Sequence, residues 1–222
     1  MKRSLLVLST AAALALPGSL AAQGVGIGAR AGTLGLGAEA ALGLTDAFVI
    51  RGGIGLMPLE PSATFNNIDF TVNLPSTMST IGVDLYLGGS FRIGGGILFK
   101  PDDPTLDAEI RADKSVDIGG QTYTSSQVSK LTGTVDSKDK APYVLIGFGK
   151  HTSTGFGLFL DLGVAFIGDP TIHLKATGDP AVIGSADFKS RLDQEARNVQ
   201  DDIGSYLKVW PILNLGLRLG VG

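Results

Sequence analysis

The sequence predicts an all-β fold: an eight-stranded antiparallel transmembrane β-barrel with long extracellular loops, one of them carrying a helix. Three observations carry this. Side chains alternate with period two over most of the chain after residue 24. The connections between these segments alternate short and long. Mean hydropathy is +0.27 with 32 glycines among 222 residues, yet no run after the N-terminal segment reaches the 18 apolar residues of a membrane helix.

The strands fall at about 24–31, 34–44, 47–58, 78–88, 90–100, 141–150, 155–167 and 206–221. The last is the clearest. Val209, Pro211, Leu213, Leu215, Leu217, Leu219 and Val221 share one face, and Lys208, Trp210, Ile212, Asn214, Gly216, Arg218 and Gly220 share the other. Phe156 to Ile167 repeats the pattern, as do Ile81 to Gly88 and Phe91 to Lys100. A single strand from Val25 to Leu44 would span about 66 Å at ~3.3 Å per residue, far more than a membrane strand needs. A tight turn near Ala31 to Thr33 divides it, and the strand count becomes even.

Either face could point inward. A lipocalin-like soluble barrel would line its cavity with the aliphatic face and show water a surface rich in Lys, Glu and Thr. The second face here is mostly glycine with scattered charges, which suits the narrow interior of a small barrel. The aliphatic residues Leu158, Leu160, Leu162, Leu213, Leu215 and Leu217 are therefore expected to face lipid. Arg30, Glu39, Arg51, Asp84, Arg92, Asp161 and Arg218 are expected to form an interior charge network, because unpaired buried charges are very costly. Such a network plugs the barrel; a narrow polar channel is the alternative. On this assignment Leu215→Arg blocks insertion and Gly216→Ala is mild.

Short connections at Thr45–Asp46, Gly88–Ser90 and His151–Thr154 read as periplasmic turns, and 59–77, 101–140 and 169–205 as extracellular loops. In the second long loop, Thr, Val and Ile at strand spacing extend the barrel hairpin beyond the membrane, with a short helix expected at about Ser125 to Lys130. The last loop predicts a helix from Ser185, as N-cap, to about Ile203. Phe188, Leu192, Ala196, Val199 and Ile203 form its apolar stripe. The helix either packs against the extended hairpin or covers the barrel mouth.

Residues 1–22 form a secretory signal peptide: Lys2 and Arg3, an apolar run from Leu5 to Leu16, then Pro17 and small residues up to a cleavage site after Ala21 or Ala22. Residues 23–222 are the barrel domain.

Several function classes lose support. With no cysteine and two histidines there is no thiolate site and little material for a metal centre, so no metal or cofactor is expected. A net charge of −3 with no block of five or more like charges gives no nucleic-acid surface. Asp103, Asp107, Glu109, Asp113 and Asp117 lack calcium-loop spacing. His173 lies near Asp169 and Asp179, but no nucleophile and base align, and His151 reads as a solvated turn residue. The expectation is not an enzyme.

The glycine-rich start Ala31-Gly32-Thr33-Leu34-Gly35-Leu36-Gly37, the middle Ile118-Gly119-Gly120-Gln121-Thr122-Tyr123 leading to Leu131-Thr132-Gly133-Thr134-Val135, and Ala141-Pro142-Tyr143 carry a resemblance. Over most of its mature length the chain resembles the small eight-stranded outer-membrane barrels of Gram-negative bacteria, the OmpA/OmpX/OmpW-like group, and within it a poorly characterised branch. The resemblance implies a monomer in the outer membrane, in contact with its lipid and lipopolysaccharide and inserted by the barrel-assembly machinery. It carries over no catalytic residues. The expected role is structural, adhesive or surface-interacting; the alternatives are a narrow OmpW-like channel for small or hydrophobic molecules and a soluble periplasmic lipocalin-like carrier.

Overall fold

The computed structural model describes residues 24–65, 68–204 and 206–221. The signal peptide and its cleavage site lie outside these residues. In chain order the strands are β1 Val25–Gly32, β2 Leu36–Gly43, β3 Phe48–Leu56, β4 Ser62–Phe65, β5 Ile68–Asn73, β6 Thr77–Gly88, β7 Phe91–Phe99, β8 Thr105–Ile110, β9 Ser115–Ile118, β10 Gln121–Thr124, β11 Val128–Asp136, β12 Lys140–Phe148, β13 Gly155–Phe166, β14 Thr171–Gly178 and β15 Val209–Val221. Two helices, α1 Pro180–Ile183 and α2 Ala186–Ile203, precede β15.

Eight strands close an antiparallel barrel in the order β1-β15-β13-β12-β7-β6-β3-β2. Closure leaves no free edge, the condition for a sheet to cross hydrocarbon. The first hairpin turns where its short length demands. Gly35, at φ +86°, returns its N–H to the Gly32 carbonyl at 3.0 Å. Thr33 ties this turn to β15: its carbonyl accepts from the Trp210 indole at 3.1 Å and its hydroxyl from the Leu213 amide at 2.9 Å.

Period two sorts the side chains as expected. On β15, Leu213, Leu215 and Leu217 are exposed outside, while Ile212, Asn214 and Gly216 are buried inside. Leu158 and Leu162 on β13 are exposed on the outside, and Leu160 is partly covered. Across the outward positions of the eight barrel strands, Lys140 at the start of β12 is the one charged residue among those described. The inward aliphatic face of a lipocalin-like carrier is therefore reversed here. β12 has nine residues; at ~3.3 Å each and a tilt of ~40° it rises about 23 Å, close to the ~25 Å apolar band of a membrane barrel.

The interior is layered. At the long-loop end Leu34, Met78, Leu98, Tyr143, Leu145, Ile167 and Ile212 form an apolar cluster backed by Trp210. Charged residues fill the middle, and Tyr86, Ala41 and Val49 lie towards the short-turn end.

The long connections are more ordered than the sequence suggests. β4 and β5 from the first, β8 and β11 from the second and β14 from the third build a five-stranded sheet, β14-β11-β8-β5-β4, beyond the barrel. The hairpin extension through β8 and β11 matches expectation; β4 and β5 in 59–77 and β14 in 169–205 are strands that the sequence does not announce. The helix expected at Ser125–Lys130 is absent. Instead Thr124 to Gln127 form a turn, closed by the Gln127 amide on the Thr124 carbonyl at 2.9 Å, and β11 starts at Val128. Ser and Thr compete with a helical backbone for hydrogen bonds, which favours this outcome.

α2 follows its reading closely. Ser185 caps it by accepting from the Phe188 amide at 3.2 Å. Phe188 is buried and packs edge-on against Tyr123, 5.1 Å between ring centres, in a cluster with Ile110, Ile118 and Val128 flanked by Leu192. Val199 is half-buried, and the side chain of Ile203 lies outside the described residues. The helix packs beside β14, β9 and α1, the hairpin-packing alternative of the two.

Candidate functional site: the charged barrel interior

Strand alternation aims Arg30 (β1), Glu39 (β2), Arg51 (β3), Asp84 (β6), Arg92 (β7) and Asp161 (β13) at the axis, and all six are buried. Arg51 is the hub. Its Nη1 lies 2.6 Å from Asp161 Oδ2 and 3.3 Å from Glu39 Oε2, and its Nε lies 3.0 Å from Asp84 Oδ2. Arg92 closes the ring with Nε 3.0 Å from Asp84 Oδ2 and Nη2 on Asp161. Arg30 stands at the margin, 3.9 Å from Glu39 and donating to the Thr80 hydroxyl at 3.3 Å. Three arginines thus face three carboxylates, which offsets the desolvation of each.

Arg218 takes a different place. It is half-buried and donates to the carbonyls of Ser153 and, at 3.1 Å, Gly155, without a carboxylate partner in the ring.

His151 corrects the sequence reading most sharply. It is only 2% exposed, because the β12–β13 turn folds up into the short-turn end of the barrel. Its Nε2 lies 2.6 Å from Glu39 Oε1, its Nδ1 3.1 Å from the Tyr86 hydroxyl, and its ring 4.7 Å from that of Phe159. Arg92 donates to the Gly149 carbonyl at 2.8 Å, and Tyr86 Oη accepts from the His151 amide at 3.0 Å. The β1 backbone lies flush against this turn: a Cβ on Gly26 would overlap the His151 carbonyl.

The space left beside the ring is small. A pocket between Arg30, Thr80, Tyr143, Ile212 and Asn214 has room for about one water molecule. Gly216 adds to the packing, because a Cβ there would run into the Phe159 ring. The expectation that Gly216→Ala is mild is therefore overturned: the site is full.

Strand parity puts the six ring charges on one face, and the same parity puts Tyr86, Tyr143, Phe159 and Asn214 there beside them. His151 had no such signal, since alternation stops at a turn.

Outside the barrel, chemistry is sparse. The Arg111 guanidinium, 2.8 Å from Asp69, holds that carboxyl below the usual carboxylate range on the exposed sheet. Asp103 pairs with Lys100, and Asp107 and Glu109 with Lys130. Among the described residues no group of three or more His, Asp or Glu is placed to hold a metal. His173 is exposed, 3.8 Å from Asp136. α2 is tied to the β9–β10 turn, where Gly119 and Gly120 take positive φ: Glu195 accepts from the Gly119 amide at 3.1 Å and Arg191 donates to its carbonyl at 3.2 Å.

No family model and no curated protein sequence matches the chain. Solved structures do. The crystal structure of Acinetobacter baumannii CarO2 superposes with a TM-score of 0.66 at 19% identity, over 89% of this chain and 98% of that one. That of Acinetobacter baumannii CarO gives 0.59 at 18% identity, over 89% and 97%. At this identity the likeness concerns the fold: a closed eight-stranded antiparallel barrel whose N- and C-terminal strands pair.

Proposed function

We propose that this chain is a non-enzymatic integral barrel of the outer membrane, plugged by its own ion network, with a structural or adhesive, surface-interaction role for the sheet and helix above it. The outward face carries the reading: eight strands present aliphatic and aromatic side chains with Lys140 as their one charge among the described residues. A contiguous apolar surface of that extent is untenable in water and is what a bilayer requires. The solved neighbours support the barrel fold on which this reading rests.

The long-loop end, with its five-stranded sheet and α2, faces outward from the cell, and the short turns face the periplasm. The signal peptide supplies export, the barrel-assembly machinery inserts the chain as a monomer, and lipopolysaccharide is the outer-leaflet lipid around it. The ion pairs of Arg51 and Arg92 with their carboxylates cross the middle of the barrel, and on this reading they leave it electrically silent. Single-channel recording on the folded chain in planar bilayers tests this. Silence at neutral pH is the expected result; discrete conductance steps would favour the narrow-channel alternative.

A further inference from the structure

Strand alternation gives the β12–β13 turn no inward face on which to bury a histidine. Residues 149–154, beyond the ends of β12 and β13, nevertheless fold into the barrel mouth and are held there from several strands. Arg92 and Arg218 donate to the Gly149, Ser153 and Gly155 carbonyls, and Tyr86 holds both the Gly149 carbonyl and the His151 amide. At the centre His151 lies between Glu39 of β2 and Tyr86 of β6.

The charge balance around the imidazole is specific. Arg51 of β3 and Arg92 of β7 face it, Arg30 of β1 and Arg218 of β15 lie further out, and Glu39, Asp84 of β6 and Asp161 of β13 are the anions. In the ring three arginines meet three carboxylates, so a neutral His151 leaves it balanced. Protonation adds a cation to a water-poor site whose carboxylates are already shared between guanidinium groups.

We propose that this turn is an acid-released latch on the periplasmic mouth: protonation of His151 undocks residues 149–154 and opens the lower barrel interior to water. Burial, ahead of the opposing Glu39 contact, pushes the His151 imidazole below its ordinary range. The docked turn therefore disfavours the proton. Docking is unaffected well above the ordinary histidine value of about 6.5 and weakens as pH falls below it.

The inference rests on the plugged reading, and the two fail separately. Conductance at neutral pH refutes the plug, whereas a barrel silent there whose turn ignores acid refutes the latch.

The test is amide hydrogen exchange by NMR on the mature chain in detergent micelles, corrected for intrinsic rates, between about pH 7 and about pH 5. Protection of the 149–154 amides should fall with acid, by at most about tenfold for each pH unit below the ordinary histidine value. His151→Gln, which cannot titrate, should show no such fall. Unchanged protection in the native chain, or an equal fall in His151→Gln, overturns the proposal. Should His151→Gln fail to fold, His173→Gln leaves His151 as the one imidazole to follow. Its titration must coincide with loss of protection; titration without that loss also overturns the latch.

Discussion

Arg51→Met removes the hub of the interior while keeping most of its volume. Arg51 approaches Asp161 at 2.6 Å, Asp84 at 3.0 Å and Glu39 at 3.3 Å. Without it, three buried carboxylates share Arg92 and the distant Arg30. Breaking a buried pair by deleting one partner costs about 3–5 kcal/mol, since the remaining charge stays desolvated. That is roughly two to four decades in the unfolding equilibrium, at ~1.4 kcal/mol per decade. Urea unfolding of the barrel in lipid vesicles measures it, with Trp210, the sole tryptophan, packed against the apolar interior cluster as the fluorescent probe. Adding Asp161→Asn removes one orphaned carboxylate and should recover part of the loss. A cost below about 1 kcal/mol for Arg51→Met, the range of an exposed pair, would refute the network as a structural element. So would a double variant no more stable than the single one.

Other substitutions probe other layers. Leu215→Arg places a charge on the exposed outer face and should destabilise insertion by about 2–4 kcal/mol, read as loss of the folded gel band after refolding into vesicles. Gly216→Ala should lower stability by about 1–3 kcal/mol, because its methyl group meets the Phe159 ring; urea midpoints report it, and an unchanged midpoint contradicts the packing. Phe188→Ala should free α2 at a local cost of about 3–5 kcal/mol, making Lys189 and Arg191 trypsin-sensitive while the barrel's gel mobility stays unchanged.

The barrel was legible because a strand with different solvents on its two faces must alternate at every position. Leu213 to Leu219 against Ile212 to Arg218 shows this directly, and the observed β15 begins within three residues of the expected start. The added sheet was not legible for the converse reason. In β5 every residue from Ile68 to Asn73 is half-buried, and β4 is four residues following Pro61. Neither shows a marked contrast between its faces. The ring charges could be placed on the inner face by parity, but their pairing depends on barrel closure, which brings Arg51 of β3 to Asp161 of β13, 110 residues away. His151 depended on more still: its burial follows from Arg92, Arg218 and Tyr86 on three distant strands gripping a turn that by itself has no preferred face.

The most direct test is membrane fractionation of the mature chain followed by gel mobility with and without boiling. The outward aliphatic face predicts that only detergent extracts the protein and that its mobility shifts on boiling, as a folded barrel opens. A chain recovered in the aqueous periplasmic fraction without detergent would contradict the account, because that surface would then have to be covered by something other than lipid.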